Sequence, residues 1–180
     1  ENYTPHVTVV VPAFNEALTI VPTIDSILES NYPNFDVVVI DDGSTDKTAQ
    51  MVVNHFLEDP RVTLWSGANH GKWFAENLAM GASNSPIYVI VDADTLLDPD
   101  AIGQLVQPFK DENVGAVAGT VEIGNRDNFL TDCQVIEYTH TQQLIRRAYE
   151  VFNGIIVVPG AIGAWRASAV EAAGGVPGDT

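Results

Sequence analysis

Two aspartates, Asp92 and Asp94, follow an apolar run at positions 89–91. Alternate side chains of a strand share a face, so both carboxylates could lie together where a buried strand leaves its sheet. Two ionised carboxylates repel each other unless a cation lies between them. Oxygen ligands suit Mg²⁺ or Mn²⁺, and substrate phosphates often complete the shell of Mg²⁺. The pair therefore predicts a site for a metal and a diphosphate. The alternative is an ordinary turn before a helix that starts at Asp98 and Pro99.

Four apolar runs predict the strands that position this pair, and a helical pattern follows each of the first three. The predicted strands are residues 7–11, 37–40, 62–65 and 87–91. This alternation is typical of an α/β protein with a mostly parallel sheet, and ligands bind such sheets beyond the carboxyl ends of the strands. We therefore expect four polar clusters to meet at one edge of the sheet: Asn15 with Glu16, Asp41 with Asp42, residues 69–72, and Asp92 with Asp94.

The second half of the chain continues without a linker or repeat, so we expect one continuous domain. Its pattern predicts helices at residues 99–110, 128–152 and 167–173, strands at 114–121 and 155–158, and a small-residue loop at 159–163.

Three residues of the polar clusters have alternative interpretations. Asp41 and Asp42 precede a helix that Thr45 or Asp46 could cap, but one of the two could instead accept a hydrogen bond from a nucleotide base. Lys72 begins a predicted helix, so its ammonium and the free amides of the first turn could face a phosphate. The alternative for Lys72 is an ordinary solvated lysine.

Composition excludes several classes of function. Eight Lys and Arg against 24 Asp and Glu give a formal charge of −16, which argues against broad affinity for nucleic acid or anionic lipid. One cysteine, Cys133, rules out an intrachain disulfide. No dinucleotide-binding, P-loop or serine-hydrolase motif is present. We see no signal peptide and no run long enough for a membrane span.

Taken together, the motifs resemble a family 2 glycosyltransferase with a GT-A fold. In the first half these are Val-Val-Val-Pro-Ala-Phe-Asn-Glu (9–16), Asp-Asp-Gly-Ser-Thr-Asp (41–46), Gly-Lys (71–72) with Asn77, and Asp-Ala-Asp (92–94). In the second half, three motifs resemble the processive, membrane-attached branch that includes poly-N-acetylglucosamine, chitin-oligosaccharide and hyaluronan synthases. They are Gly-Asn-Arg (124–126), Gln134 with Glu137-Tyr138, and Pro-Gly-Ala-Ile-Gly-Ala-Trp-Arg (159–166).

This resemblance implies a GT-A fold, with a mostly parallel central sheet and helices on both faces, that binds a UDP-sugar donor. Residues 1–98 would form the nucleotide-binding half and residues 99–180 the start of the acceptor-binding half. Asp42, with Asp41 as a second candidate, would hold the uracil, Glu16 would lie near the nucleoside, and Lys72 would touch the diphosphate. Asp92 and Asp94 would bind Mg²⁺ or Mn²⁺ as well as the phosphates. The donor-binding set is Pro12, Glu16, Asp41, Asp42, Lys72, Asp92 and Asp94.

The resemblance also implies a glycan acceptor, held by Glu137, Gly160, Ala161 and Trp165. Trp165 could be a sugar-stacking platform or a core-edge aromatic, and the small residues before it favour the platform because they would leave its face open. The family's catalytic base is expected just beyond Thr180, so we expect this chain to bind donor but to turn over slowly. The parent protein would be held at the cytoplasmic face of the membrane by segments outside this chain, and the fragment itself would be soluble. Glu76 departs from the leucine that the family usually has there.

The preferred interpretation is that the protein is an inverting transferase that adds a sugar, with N-acetylglucosamine as first choice, to a growing β-linked glycan. Two alternatives remain open. One is a UDP-binding module or pseudoenzyme without turnover. The other is a sugar nucleotidyltransferase of similar sheet topology, although that class would be expected to carry a basic glycine-rich loop after the first strand.

Overall fold

A computed structural model describes residues 3–121 and 161–178. Its strands are β1 (Val7–Ala13), β2 (Phe35–Asp41), β3 (Val62–Ser66), β4 (Ile87–Val91), β5 (Ala116–Ala118) and β6 (Ile162–Arg166). Its helices are α1 (Ile20–Leu28), α2 (Thr48–Phe56), α3 (Lys72–Ala82), α4 (Ala101–Val106) and α5 (Ala167–Ala173), with a 3₁₀-helix at Gln107–Lys110.

The six strands form one sheet in the order β3-β2-β1-β4-β6-β5. The first four strands are parallel, with Val9 opposite both Val37 and Val89. Strand β6 runs antiparallel to both β4 and β5. The predicted α/β architecture with a mostly parallel sheet is therefore confirmed.

Alternation along the strands creates a core on each face of the sheet. Val7, Val9 and Val11 of β1 pack on the face that α1, α2 and α4 cover. Val10 faces the opposite side, where Ala75 and Ala79 of α3 pack. Strands of this kind have no polar face, which explains their nearly continuous apolar runs.

Three predicted elements in the second half of the chain differ from the structure. The helix predicted at 99–110 is α4 followed by a 3₁₀ turn, because Pro108 has no amide to continue the α-helical ladder. The strand predicted at 114–121 is only the three residues of β5. The loop predicted at 159–163 is wrong in its last two residues, because Ile162 and Gly163 pair with Val91 and Ile90 in β6.

The small residues in this region permit close packing of strands. A Cβ on Gly119 would lie 2.5 Å from Cγ2 of Ile162. The predicted helix at 128–152 and strand at 155–158 lie outside the described residues. Within the described ranges, no helix combines the length and apolarity needed to cross a membrane.

Candidate functional site

The turn after β2 fixes the loop that precedes α3. The backbone amides of His70 and Gly71 donate to the two carboxylate oxygens of Asp42, each at 2.8 Å. Asp42 is only 7% exposed, and hydrogen bonds to an ionised acceptor are stronger than neutral ones. Gly43 has φ +76°, and a Cβ there would lie 2.7 Å from the amide nitrogen of Asn69. Asp42 and Gly43 therefore hold this loop, and the start of α3, against the end of β2.

Lys72, the first residue of α3, reaches the end of β4. Its ammonium forms a close ion pair with Oδ1 of Asp92 and lies 4.0 Å from Oε1 of Glu76. The side chains of Lys72 and Asp92 are 43% and 33% exposed, so both remain accessible to a ligand. The Lys72 ammonium thus links the loop after β3 to the turn after β4.

Glu76 places a second carboxylate beside this ion pair. The residue is 8% exposed. Burial raises the pKa of Glu76, the Lys72 ammonium opposes that rise, and the negative charge of Asp92 adds to it. A buried carboxylate is costly unless a cation accompanies it, so the nearby Lys72 ammonium stabilises the ionised form of Glu76.

The turn that carries Asp92 and Asp94 is held from two sides. The amide of Asp92 donates to the carbonyl of Ala161 at 3.0 Å. From α1, the buried hydroxyl of Thr23 donates to the carbonyl of Ala93 at 3.0 Å. Asp94 is exposed and lines a cleft between α4 and β5. The backbone between the two acids is thereby fixed, while Asp94 faces solvent.

The turn after β1 packs on the turn after β2. Asn15 adopts a left-handed conformation with φ +59°. Its amide donates to the hydroxyl of Ser44 at 2.9 Å, and its side-chain carbonyl accepts the amide of Thr45 at 2.8 Å. This contact brings a fourth strand end, that of β1, to the same edge of the sheet.

The capping of α2 differs slightly from the sequence prediction. Lys47 occupies the N-cap position, but Asp46 supplies the capping carboxylate, which accepts the amide of Thr48 at 2.9 Å. The hydrogen bond from the Thr48 hydroxyl is the main reason why the pKa of Asp46 lies below its usual value.

A divalent cation fits the end of β4. Oδ1 of Asp92 already holds a cationic group, the Lys72 ammonium, and carboxylate oxygens are the ligands that Mg²⁺ and Mn²⁺ prefer. In residues 3–121 and 161–178, no cluster of three or more His, Cys, Asp or Glu side chains could hold a metal. A metal at Asp92 and Asp94 would therefore need phosphate or water to complete its shell.

The structure brings Lys72 and Asp92 into direct contact, and Asp42 binds the two backbone amides just before Lys72. The other predicted donor residues occupy neighbouring positions with contacts of their own. Pro12 is half-buried in β1, the buried Asp41 accepts the amide of Ser44 at 3.2 Å, and the Glu16 carboxylate accepts the hydroxyl of Thr19 at 2.7 Å.

Of the four predicted acceptor residues, the structure describes Ala161 and Trp165, and these two lie at different positions along β4. Ala161 lies at the end of β4 beside Asp92, whereas Trp165 pairs with Tyr88, three residues before the end of β4. Its side chain is half-buried and packs against the core on the α3 face of the sheet, which fits the alternative of a core-edge aromatic, and the stacking platform stays a prediction. Glu137 and Gly160 lie outside the described residues. The acceptor roles stay predictions.

Sequence reasoning missed the supporting roles of three residues. Glu76 was noted only as a departure from the family pattern. Thr23 is a polar residue within the apolar stripe of α1, and that position was the signal that could have revealed its role. Gly43 lies in a quoted motif, but its close approach to residues 67–69 depends on the tertiary fold.

A family model, Glycosyl transferase family 2, matches residues 8–172. Among curated proteins, the poly-β-1,6-N-acetyl-D-glucosamine synthase of Staphylococcus epidermidis is 29% identical over 162 residues, covering 89% of this chain and 39% of that protein. The Staphylococcus aureus synthase (strain COL) is 28% identical over 165 residues, covering 91% and 40%. The chain thus spans about two fifths of these relatives, and the resemblance drawn from the sequence is confirmed.

Solved structures show the same fold. The mannosyltransferase PcManGT from Pyrobaculum calidifontis, in complex with GDP-Man and Mn²⁺, has a TM-score of 0.83 and 31% identity, covering 99% of this chain and 49% of that one. S. aureus TarS 1–349 in complex with UDP has a TM-score of 0.73 and 17% identity, covering 97% and 51%. These similarities confirm the predicted GT-A fold.

Proposed function

The chain belongs to glycosyl transferase family 2, and we propose that it forms the donor site of a metal-dependent, inverting glycosyltransferase. The donor is a UDP-sugar, with N-acetylglucosamine as first choice because the curated relatives are named as synthases of its polymer. The acceptor is a growing β-linked glycan. The parent protein lies at the cytoplasmic face of the membrane, attached by segments outside this chain.

One observation carries this proposal: a lysine and an aspartate from two different strand ends meet at the edge of the sheet. Lys72 follows β3, Asp92 follows β4, and Asp42 of the intervening β2 turn fixes the loop before Lys72. An exposed ammonium beside a partly exposed carboxylate suits a diphosphate that arrives with a divalent cation.

Each side chain of the donor set has a distinct role in the proposal. Lys72 binds the diphosphate, and Asp92 and Asp94 hold Mg²⁺ or Mn²⁺, which when bound supplies Lewis-acid stabilisation of the leaving diphosphate. Asp42, with Asp41 as second candidate, accepts the uracil N–H. The two loop amides leave further lone pairs on the Asp42 oxygens for this purpose. Pro12 and Glu16 flank the nucleoside. The nucleotide-binding half ends near residue 98, and the acceptor-binding half follows it.

Donor binding tests the proposal without requiring turnover. UDP is titrated calorimetrically into the protein with and without Mn²⁺, with GDP as the matched nucleotide. The same titration is repeated on Asp92→Ala, Asp94→Ala and Asp25→Ala. Asp25 is an exposed acid on α1 and serves as the charge-matched control.

We expect UDP binding that depends on Mn²⁺, is lost in the first two variants and is retained in Asp25→Ala. Tighter binding of GDP than of UDP would overturn the choice of donor. Absence of UDP binding by a folded protein would overturn the proposal that these residues form a donor site. UDP binding that persists without metal and in both alanine variants would indicate that Asp92 and Asp94 form an ordinary turn.

A further inference from the structure

The Lys72 ammonium occupies a carboxylate oxygen of a proposed metal ligand. It pairs with Oδ1 of Asp92, one of the two acids assigned to Mg²⁺ or Mn²⁺. An ammonium and a divalent cation on one carboxylate repel each other, and this repulsion is strong in a partly desolvated site. A metal that binds Asp92 through Oδ1 must therefore displace Lys72.

Glu76 offers the displaced ammonium a second acceptor. It lies one helical turn after Lys72 on α3, with Oε1 4.0 Å from Nζ of Lys72. Residues at this spacing share a helix face, so the lysine side chain can turn from one acid to the other without a backbone movement. Burial of Glu76 makes an accompanying cation more favourable than it would be at an exposed position.

Formal charges support the exchange. Among the described residues, the Lys72 ammonium lies near two carboxylates, those of Asp92 and Glu76, and Asp94 follows Asp92 by two residues. A divalent cation held by Asp92 and Asp94 offsets their two negative charges, which leaves the Lys72 ammonium to offset the charge of Glu76. With the leucine that the family usually has at position 76, the displaced ammonium would lose this partner.

We propose that Lys72 is the internal counter-cation of Asp92, and that a divalent cation arriving at Asp92 and Asp94 transfers the Lys72 ammonium to Glu76, where a donor diphosphate can engage it. This inference rests on the proposed function and adds to it an order in which the metal and the diphosphate bind. Metal binding prepares the lysine for the diphosphate, so each ligand raises the affinity of the other by the same factor.

The position of Lys72 can be followed directly, because the chain has three lysines, Lys47, Lys72 and Lys110. Reductive ¹³C-methylation gives each lysine its own NMR signal, and Lys72→Arg assigns the one of interest. Mg²⁺ is then added without nucleotide. We expect the Lys72 signal to shift and saturate with Mg²⁺ while Lys47 and Lys110 stay unchanged, and we expect no shift in Asp92→Asn. A Lys72 signal that stays in place at saturating Mg²⁺ would overturn the exchange.

Metal affinity gives an independent measurement. Free Mn²⁺ is determined by electron paramagnetic resonance, without nucleotide, for the wild-type protein and three variants. Lys72→Met removes the competing ammonium, so Mn²⁺ should bind roughly two- to fivefold more tightly, the range that a partly exposed ion pair supports. Glu76→Gln removes the second acceptor, so Mn²⁺ should bind several-fold more weakly. Lys47→Met, which removes an exposed lysine elsewhere, should leave the affinity unchanged.

The outcomes separate this inference from the function on which it rests. Mn²⁺ binding that is lost in Asp92→Asn but is equal in the wild-type protein and Lys72→Met supports the metal site and refutes the exchange. Absence of Mn²⁺ binding by the folded wild-type protein overturns the metal site, and the exchange with it.

Discussion

Replacing Asp42 by Asn should loosen the loop before α3 at a cost that the structure allows us to estimate. The substitution keeps the shape of the side chain, but one oxygen that accepts a backbone amide at 2.8 Å becomes an NH₂ group. Hydrogen bonds to a charged group contribute about 1.5–3 kcal/mol, and a buried donor left unsatisfied costs about 1–3 kcal/mol. We expect a loss of about 3 kcal/mol in the free energy of unfolding, or about 6–12 °C in Tm for a domain of this size.

Urea denaturation measures this loss, and native-state hydrogen exchange locates it. In Asp42→Asn the amides of His70 and Gly71 should lose protection, while amides in the centre of β1 should change only with global stability. Asp41→Asn is the matched control, because Asp41 accepts one amide, that of Ser44, at the longer distance of 3.2 Å. Its expected loss is about 1 kcal/mol. Wild-type protection of both loop amides in Asp42→Asn would refute the reasoning, as would a stability loss no larger than that of the control.

Three further substitutions test other supporting contacts. The side chain of Asn77 donates to the carbonyl of Val176 at 2.8 Å and accepts its amide at 2.9 Å, so Asn77→Ala should expose that amide to exchange and cost about 1–2 kcal/mol in urea denaturation. Thr23→Val keeps the side-chain shape but leaves the carbonyl of Ala93 without its hydroxyl donor; a loss of about 1 kcal/mol and weaker Mn²⁺ binding are expected, and unchanged values of both would contradict the supporting role. Because hydrogen bonds from a threonine hydroxyl and backbone amides lower the pKa of Asp46 in the folded state, its stabilising effect should be complete at neutral pH and decline as pH falls below about 4. The urea midpoint of Asp46→Asn should therefore depend less on pH than that of the wild-type protein over this range.

The sequence was sufficient to place the polar clusters at strand ends. Apolar runs such as residues 87–91 are bounded by acids or turn residues, and the parallel alternation then determines which ends meet. Asp92 and Lys72 were assigned to one edge of the sheet on this ground, and their ion pair agrees with it. Local pattern was enough because strand direction, rather than side-chain detail, decides which turns converge.

Contacts between distant parts of the chain could not be predicted in this way. Residues 159–166 consist largely of small residues, which fit a loop as well as a strand, and the pairing of β6 with β4 decides between them. The packing of Trp165 on the α3 face follows from that pairing. The amides that Asp42 binds belong to residues 28 and 29 positions away, and no local signal identifies them.

The place of β6 in the sheet also determines the order in which the chain can assemble during synthesis. Strand β6 lies between β4 and β5, although β5 ends at Ala118 and β6 begins only at Ile162. Strands β1 to β4 can pair as soon as residue 91 has left the ribosome, but the outer edge of β4 then lacks its neighbour until residues 162–166 follow. All five residues of β4 are buried in the folded protein, and an open apolar strand edge favours pairing with other chains. Nascent chains that pause between residue 91 and residue 162 are therefore expected to aggregate or to require a chaperone, even though most of the proposed donor site has already been synthesised.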